Sequence, residues 1–192
     1  VLIGVSRVFG VRRSPWSFVD TLEIRLLGPV DWREFRDVRL AALADAPYAF
    51  GSTLERERAF TETEWRDRLS RRAQFLATAG GRPVATAAGI LTEQAGSAEL
   101  VSMWVDPGWR GRGVGQLLVE RVLKWAADQG SAQVLLWVTD GNLPAETLYL
   151  SLGFEHTGER QPVLPEDPAR LESRMVLRLG AAAGPLPPRS QR

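Results

Sequence analysis

Arg110-Gly111-Arg112-Gly113-Val114-Gly115 sets three glycines at alternate positions, with arginines flanking the first of them. The preceding segment, Glu99 to Val105, has the composition of a strand, and the following one, from about Gly113 to Gln129, carries apolar residues at helical spacing. Glycine weakens a helix, so glycines crowded at its start serve another purpose. A helix N-terminus offers unpaired N–H groups and a partial positive charge, and a bare backbone lets a phosphate approach. Binding of a phosphate or pyrophosphate is therefore the chemistry this pattern suits. Two known forms of that chemistry fail on particular residues. A nucleotide P-loop closes on Gly-Lys-Ser/Thr, whereas Gly115 is followed by Gln116 and Leu117. A dinucleotide fingerprint needs glycine at position 116 and an early place in the chain, and neither condition holds.

The other reactive residue types are sparse. The chain has no cysteine and a single histidine, His156, so disulfides, thiol nucleophiles, thiolate metal sites and His-rich metal centres are ruled out. No metal is expected, and His156 reads as an ordinary strand residue. A net charge of +1 across 192 residues argues against nucleic acid or an anionic membrane as a partner. No apolar run approaches the ~20 residues of a membrane-spanning helix. A reducing, cytoplasmic setting is the expectation. The opening VLIGVSRVFGVRRSPWSF interrupts its apolar residues with arginine, which is the wrong order for a secretory signal. Residues 1–20 are expected to be a flexible extension, and residues 180–192, rich in proline, a flexible tail.

Between them the elements that must position the glycines can be read in order. Leu22 to Leu27 alternates as a strand and ends at Gly28-Pro29. A helix follows from about Val30 to Ala44, with Asp31 placed to cap it and Trp32, Phe35, Val38, Leu40 and Leu43 on or near one face. PYAFGS at 47–52 breaks the chain. A second, charged helix spans LERERAFTETEWRDRL, with Thr61 or Thr63 as an internal restart cap; its Glu55, Glu57, Glu62 and Glu64 read as a solvated face. Strands are expected at Gln74–Ala79, Arg82–Thr92 and Glu99–Val105, the first two joined by Gly80-Gly81. The helix after the glycines has Val114, Leu117, Leu118, Val122, Trp125 and Ala126 as its apolar set and Gly130 beyond its end. Gln133 to Thr139 is a continuous apolar run, as in a strand buried on both faces. A short helix, Pro144 to Leu152, precedes two last strands, Phe154 to about Val163 and Leu171 to Leu179. The order describes an α/β fold with a mixed sheet.

Read with its flanks, the glycine stretch becomes V-x-P followed by R-x-x-G-x-G: Val105, Pro107, Arg110, Gly113 and Gly115. This resembles the pyrophosphate-binding signature of the GNAT superfamily of acyl-CoA-dependent N-acyltransferases. Asn142, Ala145, Leu148-Tyr149 and Leu152-Gly153-Phe154 resemble the family's helix after its central strand, and VDWREFRDVRLAALADAPYAFGS resembles its two-helix opening. The resemblance covers about residues 22–179 and implies one acyl-CoA-binding domain over 21–179. It also implies a mixed central sheet whose two parallel middle strands splay apart.

The resemblance further implies acetyl-CoA as acyl donor. Its pantetheine would pair with backbone groups of Met103, Trp104 and Val105, and its pyrophosphate would rest on the N–H groups of Arg110, Gly111, Arg112, Gly113, Val114 and Gly115. Asn142 would bind the pantetheine or cap its helix. Glu99 occupies the place of the catalytic glutamate in the protein-acetylating branch; its alternative is a solvated strand-end carboxylate. A base is needed because a lysine-like amine costs roughly 4–5 kcal/mol to deprotonate at pH 7. Tyr149 stands where the family places the acid that protonates the leaving thiolate, and packing against the sheet is its alternative. Without cysteine, the amine attacks the thioester directly. Tyr48, Phe50 and Ser52 are expected along the acceptor pocket. The reading is an N-acetyltransferase acting on a primary amine of a small molecule. Acetylation of a protein or peptide, or acyl-CoA sensing without turnover, stays open, as does a homodimer.

Overall fold

The computed structural model describes residues 21–180, so the expectations for residues 1–20 and for 181–192 lie outside the described residues. Seven strands form one sheet: β1 (Leu22–Leu27), β2 (Ala73–Ala79), β3 (Arg82–Leu91), β4 (Ser97–Val105), β5 (Gln133–Thr139), β6 (Glu155–Leu164) and β7 (Asp167–Arg178). Their spatial order is β1-β2-β3-β4-β5-β7-β6. All neighbours are antiparallel except β4 and β5, the central parallel pair. Five helices flank the sheet: α1 (Trp32–Asp45), α2 (Leu54–Arg58), α3 (Glu62–Ser70), α4 (Val114–Asp128) and α5 (Leu143–Ser151).

The two faces of the sheet bury different helices. On one face α4 lays Val114, Leu118, Val119, Val122 and Ala126 against alanines and valines of β2 to β5. Small strand residues let that helix come close. A Cβ on Gly89 of β3 would lie 2.4 Å from the Trp125 ring, so only glycine fits under it. Leu117, assigned to this apolar set from the sequence, is instead 43% exposed, one position off the buried stripe. On the other face α1 and α3 bury Phe35, Val38, Leu43, Trp65 and Leu69 over Leu76 and Trp104. Phe35 and Trp65 meet edge to face at 5.4 Å.

Several boundaries depart from the sequence reading. The charged helix expected over 54–69 is two helices, because Thr61 closes a capping box with Glu64 and restarts the chain as α3. Glu57 is not on a solvated face. It is fully buried at the end of α2, bridged by Arg39 of α1 at 2.8 Å and Arg68 of α3 at 2.9 Å. Asp31 stands at the N-cap of α1 but makes no side-chain cap there; its carboxylate accepts the Gly28 N–H at 2.8 Å, across a short 3-10 turn. The last strand starts at Asp167, four residues before the expected Leu171, and forms a hairpin with β6.

Two irregularities of the central strands matter most. β4 pairs with β5 only over Ser97–Glu99 against Gln133–Leu135. Beyond that point β5 stays paired with β7 along its length, while β4 leaves it. Between Thr86 and Ala88 the register of β3 against β4 skips, so β4 carries a bulge. Ser102, at that bulge, has φ 57°, the one left-handed non-glycine among the described residues. A bulge bends the strand that holds it, and this one begins three residues past the last β4–β5 pair.

Candidate active site

Where β4 and β5 part, a cleft of about 470 Å³ opens between β4, α4 and α5. Its floor includes Met103, Trp104 and Val105, and the β5-facing backbone groups of this stretch have no partner strand. A smaller recess of about 100 Å³ adjoins it, sharing Phe50, Met103, Asn142 and Tyr149, and reaches under the bulge to Val101 and Ser102.

The turn at one end of the cleft is assembled locally. Asp106 accepts the Gly108 N–H at 2.8 Å, Pro107–Trp109 makes a 3-10 turn, and the chain then reverses through Gly111 and Gly113. Those two have φ of 71° and 79°, and a Cβ on either would touch nothing within 4 Å. Conformation selects glycine there, since other residues are strained in the left-handed region. Gly115 is different. A Cβ on it would lie 3.1 Å from Met103 Cε and 3.2 Å from Leu148 Cδ2, so crowding selects it. Gly113 is the N-cap of α4 and offers no side-chain cap, which leaves first-turn N–H groups without an intrahelical acceptor. Arg110, Gly111, Gly113, Val114 and Gly115 all line the cleft.

The two arginines of the turn are engaged elsewhere. Arg110 donates through Nε to the Val105 carbonyl at 3.0 Å and through Nη2 to Asp45. Asp45 also accepts the Trp104 indole N–H at 2.9 Å, so the end of α1 is tied to the end of β4. Sequence reading passed over Asp45. An acid at a helix C-terminus faces the unfavourable end of the helix dipole, and that oddity was the available signal for an outside partner. Arg112 lies over the Trp109 ring at 5.0 Å and, unlike the other residues of the turn named from the sequence, does not line the cleft.

On α5, Asn142 lines the cleft while its Oδ1 accepts the Ala145 N–H at 3.4 Å, capping the helix. Tyr149 lines both cavities, with its ring buried beside Phe154 at 5.7 Å. Burial pushes the phenol pKa well above its ordinary value, so the hydroxyl keeps its proton throughout the physiological range. Tyr48 and Phe50, in the turn after α1, close the cleft from the sheet's other face. Ser52 does not border either cavity; it sits beside the buried Glu57 and helps hold that carboxyl's pKa down.

Glu99 sits in the last β4–β5 pair, before the cleft begins. Burial raises its pKa, partly offset by Arg174 and reinforced by the like charge of Glu172. Glu172 of β7 is raised as well by its own burial, while Gln161 Nε2 donates to it at 2.8 Å. This second carboxylate escaped the sequence reading because only the pairing of β7 with β5 carries it toward Glu99. Among the described residues no group of acidic and histidine side chains is arranged to hold a metal ion.

Comparison with known proteins places this geometry. A family model described as "Acetyltransferase (GNAT) family" matches residues 36–154. Mycothiol acetyltransferase of Thermobifida fusca (strain YX) is 33% identical over 132 residues, which is 66% of this chain and 41% of that protein. The chain therefore spans less than half the length of that relative. A GNAT-family acetyltransferase structure from Streptococcus pneumoniae superposes with a TM-score of 0.70 at 21% identity, covering 83% of this chain and 100% of that one. A Salmonella typhimurium structure, solved with its cofactor acetyl-CoA, gives 0.68 at 18% identity, covering 86% and 98%. The matched stretch runs from α1 through the splayed strands, the glycine turn and α5, the elements that build the cleft, and the chain belongs to the GNAT family of acetyltransferases.

Proposed function

We propose that this chain transfers an acetyl group from acetyl-CoA to the primary amine of a small molecule, by direct attack of the amine on the thioester. The observation that carries the reading is the parting of β4 from β5, which bares one edge of Met103–Val105 along the cleft. An extended arm of amides, such as pantetheine, suits a strand edge with unused donors and acceptors. The Arg110 N–H is taken by the Pro107 carbonyl, and the pyrophosphate suits the N–H groups from Gly111 to Gly115. In this reading residues 21–179 form the transfer unit, and it works in the cytoplasm.

The chemistry assigned to each residue follows from its surroundings. The amine nitrogen bonds to the acetyl carbon as the C–S bond breaks. A backbone N–H near the bulge, at Met103 or Trp104, steadies the oxygen as it gains charge. The amine's proton passes to Glu99, through water because Glu99 lies before the cleft. The departing thiolate takes a proton from Tyr149, which burial keeps in its neutral, donating form. Tyr48 and Phe50 wall the acceptor side, and Ser52 acts only through Glu57.

The test is thiol release from acetyl-CoA against a panel of small amines, aminoglycosides and peptides. Release with a small amine is the expected outcome. Release with peptides alone would transfer the reading to a protein-modifying enzyme. Binding of acetyl-CoA with no release on any member would make the chain a sensor.

A further inference from the structure

A cation beside the recess lacks a counterion. Arg72 lies between α3 and β2, and its Nη1 donates to the Ser102 hydroxyl at 3.3 Å. Ser102 is the left-handed residue of the bulge and lines the recess with Phe50, Trp137 and Tyr149. Arg72 stands just before β2, and Ala88, the β3 residue between Gln74 and Val101, presents only a methyl group on the intervening strand. The Arg72 Nε is buried with no hydrogen-bond partner. Among the described residues no carboxylate lies within ion-pair distance of it. The one nearby acid, Glu57, is already bridged by Arg39 and Arg68. Two guanidiniums thus occupy that carboxylate and Arg72 is left over, and a buried Nη1 of Arg39 is unpartnered too. Burial and repulsion from Arg68 and Arg39 together pull the Arg72 pKa down to about 10.

A half-buried cation without a counterion, its Nε fully enclosed, is costly, and an apolar side chain of similar size would stabilise the fold as well or better. We propose that Arg72, with the Ser102 hydroxyl, binds a carboxylate carried by the amine acceptor, so that the acceptor is a small zwitterion of the amino-acid class. The proposal rests on the acetyl-transfer reading above and names its substrate class. A guanidinium has the planar fork that matches a carboxylate, and Ser102 contributes a further donor. The same sheet face supplies the opposite charge for the ammonium end. Glu99 and Glu172 stand close enough to repel each other, toward β5 and β7, with Arg174 beside Glu99.

The experiment compares kcat/KM for the standard L-amino acids with that for their carboxamides and decarboxylated amines, in wild type, Arg72→Met and Arg72→Lys. A hydrogen-bonded charge of this kind is worth a preference of about tenfold or more for the free acid. Arg72→Met should bring that preference close to unity, and Arg72→Lys should keep part of it. The melting temperature of Arg72→Met should equal or exceed that of wild type, which a purely structural arginine would not allow. Equal use of acids and carboxamides by wild type, or a proportional loss on both in Arg72→Met, overturns the carboxylate site and leaves acetyl transfer standing. If nothing in this panel is acetylated, the transfer reading is left to the wider panel of amines above, and the melting temperature of coenzyme A-loaded protein with each amino acid decides the site. A rise in wild type that is absent in Arg72→Met supports it, and no rise overturns it.

Discussion

At the scale of residues, two assignments can be separated by kinetics. Tyr149→Phe keeps the ring packed on Phe154 and removes only the hydroxyl. Turnover should drop about a hundredfold, the usual worth of a positioned acid, while the KM for acetyl-CoA changes less than about twofold. Steady-state kinetics with varied acetyl-CoA checks this, and a raised KM at normal kcat would mean the hydroxyl binds the donor. Glu99 makes a pH prediction. Its pKa is raised, so the folded protein holds that proton more tightly than the unfolded chain does. A base must be ionised to act, and kcat/KM should therefore fall as pH drops through the raised value. Glu99→Gln should lower the plateau and erase that acid limb; an unchanged limb in a pH–rate profile would assign it to another group. Much at this scale was legible because the glycine turn and Tyr149 carry local signatures. Ser52 and Asp45 were not, since their partners, Glu57 and Trp104, come from other elements.

At the scale of elements, three helices meet on one charge. Glu57 of α2 receives Arg39 from α1 through two bonds, at 2.9 and 2.8 Å, and Arg68 from α3. Burial alone would raise its pKa, but the two guanidiniums outweigh that and hold it below the ordinary carboxylate range. A depressed carboxylate stabilises the fold above its unfolded pKa, near 4.3, and loses that contribution as pH falls through the folded value. Glu57→Gln should cost about 3–5 kcal/mol near neutral pH, because it leaves buried arginines without their counterion. Urea denaturation of the two proteins measures it, and the gap should narrow under acid. A difference below about 1 kcal/mol would place the pair among weak surface bridges. The alternation of acids and arginines over 55–68 is identical for a solvated helix and a buried network. Only the break at Thr61, which folds α3 back on α1, distinguishes them, and the capping pair Thr61–Glu64 was the legible hint.

At the scale of the whole molecule, the succession of strands and helices was readable from periodicity, and the family likeness supplied the parallel, splayed pair at the middle of the sheet, while the full strand order came only with the structure. The bulge was hidden, since a serine in left-handed backbone leaves no trace in a hydrophobic pattern. So was the reason for the third glycine of the turn. Gly111 and Gly113 answer to their own dihedral angles, but Gly115 answers to Met103 on β4 and Leu148 on α5. Those three positions share one volume, and the choice at any of them constrains the other two. Gly115→Ala alone should weaken acetyl-CoA binding and cost about 1–3 kcal/mol of stability, as overpacking does. Paired with Leu148→Val, which withdraws one of the two crowding methyls, it should recover part of both losses, a coupling that a double-mutant cycle reads directly. Substitutions there are not independent events. A chain drifting through sequence space could admit a side chain at 115 only after its neighbours had shrunk, so the order in which changes arrive decides whether the cleft survives them.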